Sequence, residues 1–69
     1  MKKISVSLSG HQTSISLEPE FILELQRIAK NQNTSVAAII SNIDKTRSAN
    51  SNLSSAIRVW ILNNIKRDN

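Results

Sequence analysis

The chain has 69 residues, nine basic and five acidic, for a formal charge of +4, with no cysteine and one histidine. A domain of this size buries only about 60% of the surface its unfolded chain exposes. Without cysteine, neither disulfides nor thiolate metal sites can brace it, so no metal and no cofactor is expected. Ile, Leu, Val and Phe supply 20 residues, which excludes a disordered chain, and the apolar runs fall far short of the roughly 20 residues that span a membrane.

Residues 4–8 (Ile-Ser-Val-Ser-Leu) and 13–17 (Thr-Ser-Ile-Ser-Leu) alternate strictly between apolar or β-branched and polar side chains. Period two with β-branched residues predicts strand, so one or two strands are expected within residues 3–17. The two segments echo each other but are too short to count as a repeat. Gly10, the only glycine, lies between them and can make a hairpin turn or a bend in one long strand.

Pro19 ends the strand and suits the first turn of a helix. Glu18, Glu20 and Glu24 sit well beside a positive helix N-terminus. Phe21, Ile22, Leu25, Ile28 and Ala29 make an apolar stripe at three- to four-residue spacing, with Leu23 off it, predicting a helix over 19–31. Asn33 suits the left-handed conformation that ends helices. Thr34-Ser35 reads as an N-cap, and Val36, Ile39, Ile40 and Ile43 fit a second helix over 35–45. Residues 46–52 are polar and read as a loop. Asn52 caps a third helix over 53–66, with Leu53, Ala56, Ile57, Trp60, Ile61 and Ile65 on one stripe and Val59 and Leu62 off it. Residues 1–69 are therefore expected to form a single domain.

One strand of five or six residues cannot stand alone, because its backbone groups need partners. Two arrangements are open. Residues 3–9 can fold back on 12–17, or residues 12–17 can pair antiparallel with the same residues of a second copy about a two-fold axis. Either ribbon has one apolar face against the helices and one polar face free, and a two-stranded ribbon fits the major groove of DNA.

Residues 12–43 resemble the ribbon-helix-helix (Arc/MetJ-type) family of bacterial DNA-binding proteins. The resemblance rests on Gln-Thr-Ser-Ile-Ser-Leu, a proline-started helix, a short turn with Asn33, and Thr34-Ser35 opening an amphipathic second helix. Two longer segments are similar to a small alphaproteobacterial variant with an additional C-terminal helix: Gly-His-Gln-Thr-Ser-Ile-Ser-Leu-Glu-Pro-Glu-Phe (10–21) and Asn-Leu-Ser-Ser-Ala-Ile-Arg-Val-Trp (52–60). The implied fold is mostly α with a short β-ribbon, the strand pairing antiparallel across a homodimer. The implied function is sequence-specific binding of double-stranded DNA for transcriptional control, with the ribbon in the major groove.

The resemblance also assigns roles. Gln12, Ser14 and Ser16 would contact base edges, since Gln pairs with adenine and Ser can donate or accept. Members of the variant often carry Arg or Lys where this chain has Gln12, so the ribbon lacks a cation and a strong guanine contact there. Backbone amides of Thr34, Ser35 and Val36 would hold phosphate at the start of the second helix. Thr13, Ile15, Leu17, Leu25, Ile39, Ile40 and Ile43 would form the dimer core. Adjacent dimers would add affinity, because six small uncharged contacts are few.

The charge pattern is consistent with an anionic partner. Residues 1–17 hold Lys2 and Lys3 and no acid; residues 34–69 hold five basic residues against Asp44 and Asp68; residues 18–33 are slightly acidic. Lys2, Lys3 and His11 are candidate phosphate contacts beside the ribbon. Arg58 is expected to pair with an acid of the first helix, and Trp60 to lie in the core or an interface. Phe21 and Trp60 are the only aromatics, too few for a platform that stacks single-stranded bases.

An enzyme is not expected: no nucleophile, base and orienting group fall in a pattern, and no glycine-rich phosphate loop occurs. The rival reading is a protein-interaction module, such as an antitoxin or adaptor, that uses Val59 and Leu62 of the third helix. Met1-Lys2-Lys3 leads into alternation and not into an apolar block, which argues against a signal peptide and for a cytoplasmic location.

Overall fold

The computed structural model describes residues 1–8, 10–47 and 52–68. In chain order they form strands β1 (Lys2–Leu8) and β2 (His11–Leu17) and helices α1 (Pro19–Asn31), α2 (Val36–Thr46) and α3 (Leu53–Asp68). Ser9, Asn69 and residues 48–51 of the expected polar loop lie outside the described residues.

β1 and β2 form a two-stranded antiparallel sheet, pairing Lys2 with Leu17, Lys3 with Ser16, Ile4 with Ile15, Ser5 with Ser14, Val6 with Thr13, Ser7 with Gln12 and Leu8 with His11. Of the two arrangements, the fold-back of residues 3–9 on 12–17 is present within the chain, and it leaves the other edge of β2 with no strand beside it among the described residues. The physical reason is local. Gly10 takes φ +84°, a conformation that costs glycine little. A two-residue connection also closes at small entropic cost. Each strand keeps one edge with no strand beside it among the described residues.

α1 starts at Pro19, where Phe21 and Ile22 donate their backbone N–H to the Glu18 carbonyl at 3.0 and 3.1 Å. It ends in a Schellman motif: Asn33 takes φ 53°, its N–H reaches the Lys30 carbonyl, and the Thr34 N–H reaches the Ala29 carbonyl at 2.9 Å. Asn tolerates this left-handed position better than any β-branched residue would. α2 follows at once, capped by the Ser35 hydroxyl, which accepts from the Ala38 N–H at 3.0 Å. Because Ser35 is the cap, the helix proper begins at Val36. α3 is capped by the Asn52 side-chain oxygen, which accepts from the N–H groups of Ser54 and Ser55 at 2.9 and 3.3 Å.

The core lies between the inner face of the sheet and the three helices. Val6, Leu8, Ile15 and Leu17 come from the strands. Leu25, Ile28 and Ala29 come from α1, Ile39, Ile40 and Ile43 from α2, and Ile57 and Ile61 from α3. Leu17, Leu25, Ile40, Ile57 and Ile61 are fully buried, each contributing about 1.5–3 kcal/mol of transfer free energy. Of the residues expected in a dimer core, Ile15, Leu17, Leu25, Ile39, Ile40 and Ile43 are already buried in the single chain, and Thr13 is half-buried.

Candidate nucleic-acid interface

Strict alternation places one polar row from each strand on the face turned away from the helices. On β2 these are Gln12, Ser14 and Ser16; on β1 they are Lys3, Ser5 and Ser7, lying opposite Ser16, Ser14 and Gln12. Five of the six are exposed and Ser16 is half-buried. The face holds no acid and no apolar side chain, and its backing is the apolar row Ile4, Val6, Ile15 and Leu17. The candidate base-contacting residues thus lie together on one surface. Ser5 and Ser7 join them, a contribution visible in the sequence only through the alternation of residues 4–8.

The cationic candidates separate. Lys3 belongs to the outer face. Lys2 pairs with Leu17 and His11 with Leu8, so both belong to the helix-facing set of their strands, although each is exposed at its strand end.

At the start of α2, the Thr34 amide is already used by the Ala29 carbonyl and the Ala38 amide by the Ser35 hydroxyl. Val36 and Ala37 lie in the first turn, where amides have no preceding helical carbonyl to donate to, at the positive end of the helix. Ser35 and Val36 thus stand where an anion can be held, and Thr34 serves the end of α1.

Arg58 does not face the ribbon surface. Its Nε donates to Glu18 Oε1 at 2.9 Å, and its guanidinium carbon lies 6.0 Å from the centroid of the Phe21 ring. The acid is the residue preceding α1 and not one within it. The hydrogen bond from Arg58 holds the Glu18 carboxyl below the usual carboxylate range, helped by the backbone N–H and the Arg58 charge and opposed by desolvation.

On the other side, α2 and α3 enclose an open hollow of about 380 Å³ lined by Ile43, Thr46, Arg47, Ala56, Val59 and Trp60 among others. Val59 and Leu62 are 56% and 49% exposed. Trp60 is half-buried against the core. Among the described residues no helix is long and apolar enough to cross a membrane, and no three His, Cys, Asp or Glu side chains cluster to hold a metal ion.

The family model for the ribbon-helix-helix domain matches residues 1–65. The chain belongs to the ribbon-helix-helix family. Its members are typically DNA-binding transcription regulators or antitoxins, generally dimeric and typically without enzymatic activity. The match takes in β1 and most of α3 as well as the central ribbon, α1 and α2. Neither the curated proteins nor the solved structures include a significant match to the chain.

Proposed function

We propose that this ribbon-helix-helix protein binds duplex DNA sequence-specifically in the cytoplasm and regulates transcription, with the outer face of its ribbon in the major groove. The observation that carries the reading is the surface made by Gln12, Ser14 and Ser16 beside Lys3, Ser5 and Ser7: polar, free of acids, and backed by the apolar core. A major groove about 12 Å wide admits two strands spaced about 4.8 Å apart. Gln12 suits adenine N6 and N7, and the serine hydroxyls can donate to or accept from either base pair. The α2 N-terminus, through Ser35 and Val36, would hold a phosphate and fix the angle of entry. Two copies acting as a homodimer would read a short pseudo-palindrome, and adjacent dimers would raise affinity.

The test is fluorescence anisotropy on a duplex from the gene's own upstream region, compared with a scrambled duplex and titrated with salt. Tight binding to the native duplex alone, with log K falling linearly in log salt, is the expected result. Equal weak binding to both duplexes would reject a specific regulator.

The second reading, a protein-interaction module such as an antitoxin, is favoured by the exposed Val59 and Leu62 beside the α2–α3 hollow. It predicts that Val59→Asp or Leu62→Asp abolishes partner capture and leaves DNA affinity intact.

A further inference from the structure

Val6 and Leu8 of β1 are buried in the same core as Ile15 and Leu17 of β2, and Ile4 packs against it. Releasing β1 would return these side chains to water, so a dimer keeps β1 in place. A strand from a second copy must then join at an open edge. β1 starts with Lys2 and Lys3, and lysines on an edge strand discourage pairing. β2 carries no formal charge between His11 and Glu18. Its backbone is also set for pairing. Leu8 and His11 close the turn, and from there opposite residues alternate between pairs that exchange hydrogen bonds and pairs that do not. Thr13, Ile15 and Leu17 therefore use their N–H and C=O groups on β1, and Gln12, Ser14 and Ser16 turn theirs to the open edge. Antiparallel pairing of β2 with the same strand of a second copy, centred on Ser14, satisfies all of those groups and keeps every inward side chain inward.

Resting on the DNA-binding reading above and on the dimer that the family generally forms, we propose that β1 is the outer strand of a four-stranded sheet in that dimer. The order is β1, β2, the partner's β2 and the partner's β1. Lys3, Ser5 and Ser7 then contact phosphate along the groove walls, while the central pair of strands reads bases. The spacing carries the assignment. Strands about 4.8 Å apart put each β2 about 2.4 Å and each β1 about 7 Å from the two-fold axis. The walls of a major groove about 12 Å wide stand about 6 Å from its midline. Both β2 strands therefore lie over base edges, and each β1 lies over a sugar-phosphate backbone. The outer row of β1 suits that place. Ser5 and Ser7 are small hydroxyl donors that let a phosphate come close. Lys3 is exposed, and no salt bridge among the described residues engages it. Lys3 lies opposite Ser16, and Ser16 then lies opposite the partner's Gln12. Each groove wall thus meets one Lys3, and the cation that Gln12 does not supply comes from β1 as a phosphate contact.

The test has two arms, both on the full chain. The sequence has no cysteine, so single cysteine variants report the strand order. Ser14→Cys should form a disulfide-linked dimer under mild oxidation, because the two central residues stand about 5.5 Å apart between Cα atoms. Ser5→Cys should stay unlinked, its two copies lying about 14 Å apart. In the second arm, binding sites are selected from a randomised duplex library and affinities are titrated with salt. Lys3→Gln should weaken all duplexes alike, lower the slope of log K against log salt by about two per dimer, and leave the selected motif unchanged. Gln12→Ala should change the motif. All four variants alter exposed positions, and circular dichroism with thermal melting checks that each is folded. A linked Ser5→Cys dimer, an unlinked Ser14→Cys chain, an unchanged salt slope for Lys3→Gln or an altered base preference in that variant would each overturn the inference and leave DNA binding standing. If the wild-type chain selects no duplex even at low salt, the DNA-binding reading falls and the role of β1 falls with it.

Discussion

Arg58 Nε lies 2.9 Å from Glu18 Oε1, a contact across 40 positions of sequence that ties the second turn of α3 to the residue between β2 and α1. The guanidinium also approaches the Phe21 ring, at 6.0 Å from its centroid. The third helix is thereby fixed to the junction that sets the angle between ribbon and α1. Glu18 is not free to cap α1 with its side chain, and the helix relies on Pro19 at its start.

This pairing predicts a pH dependence of stability. Glu18 has a lowered pKa in the folded chain. A depressed carboxylate contributes stability that is fully present above its ordinary value, 4.5, and is lost as pH falls through the lowered folded value. Thermal melting from pH 7 to pH 2 should show this loss, and Glu18→Gln should remove that part of the profile. In an Arg58→Ala background the same Glu18→Gln change should alter the melting temperature little, since the pair is already broken. Full additivity of the two changes would contradict the pairing.

Two of the described residues, Gly10 and Asn33, hold positive φ, and they should respond differently. Gly10 has no atom within 4 Å of where a Cβ would stand, so Gly10→Ala meets only backbone strain, about 1 kcal/mol. Asn33→Gly should leave stability within about 0.5 kcal/mol, and Asn33→Val, with its branched side chain at φ 53°, should cost more than Gly10→Ala. Chemical denaturation measures all three.

Ser35 separates a helix cap from a phosphate clamp. Ser35→Ala should cost about 1 kcal/mol of stability by removing the 3.0 Å bond from Ala38. Ser35→Asp keeps a good capping oxygen and should hold stability near that of the wild type, yet it sets a negative charge where the backbone amides would meet phosphate. DNA affinity should then fall about tenfold or more, at roughly 1.4 kcal/mol per decade. Unchanged affinity would remove this helix start from the interface.

Ile40 is fully buried at the centre of the core. Ile40→Ala should cost about 2–5 kcal/mol, a large share of the stability of so small a domain. Leu23, 66% exposed on the opposite side of α1, should tolerate Leu23→Ala with a change of about 0.5 kcal/mol or less.

Much of this architecture is legible in local chemistry. Pro19 and Asn33 mark the start and stop of α1, and the apolar stripes of α2 and α3 face the core, with Ile39, Ile40, Ile43, Ile57 and Ile61 buried and the rest half-buried. The partner of β2 was not legible, because alternation fixes which face a strand buries and says nothing of which strand lies beside it. Both arrangements satisfied the pattern, and the turn at Gly10 lets β1 fold back on β2 within the chain. The acid facing Arg58 was expected within the first helix. It is Glu18, one residue outside it, since a side chain's reach in space does not follow element bounds.

The central claim, that the ribbon's outer face is the surface that meets DNA, is tested most directly by a ¹H–¹⁵N correlation titration of the full chain with a bound duplex at low salt. The account predicts shift changes concentrated at Lys3, Ser5, Ser7, Gln12, Ser14 and Ser16 and at the α2 start around Ser35 and Val36, with Val59 and Leu62 unmoved. Changes confined to α3 around Val59 and Leu62, or no changes at all, would contradict it.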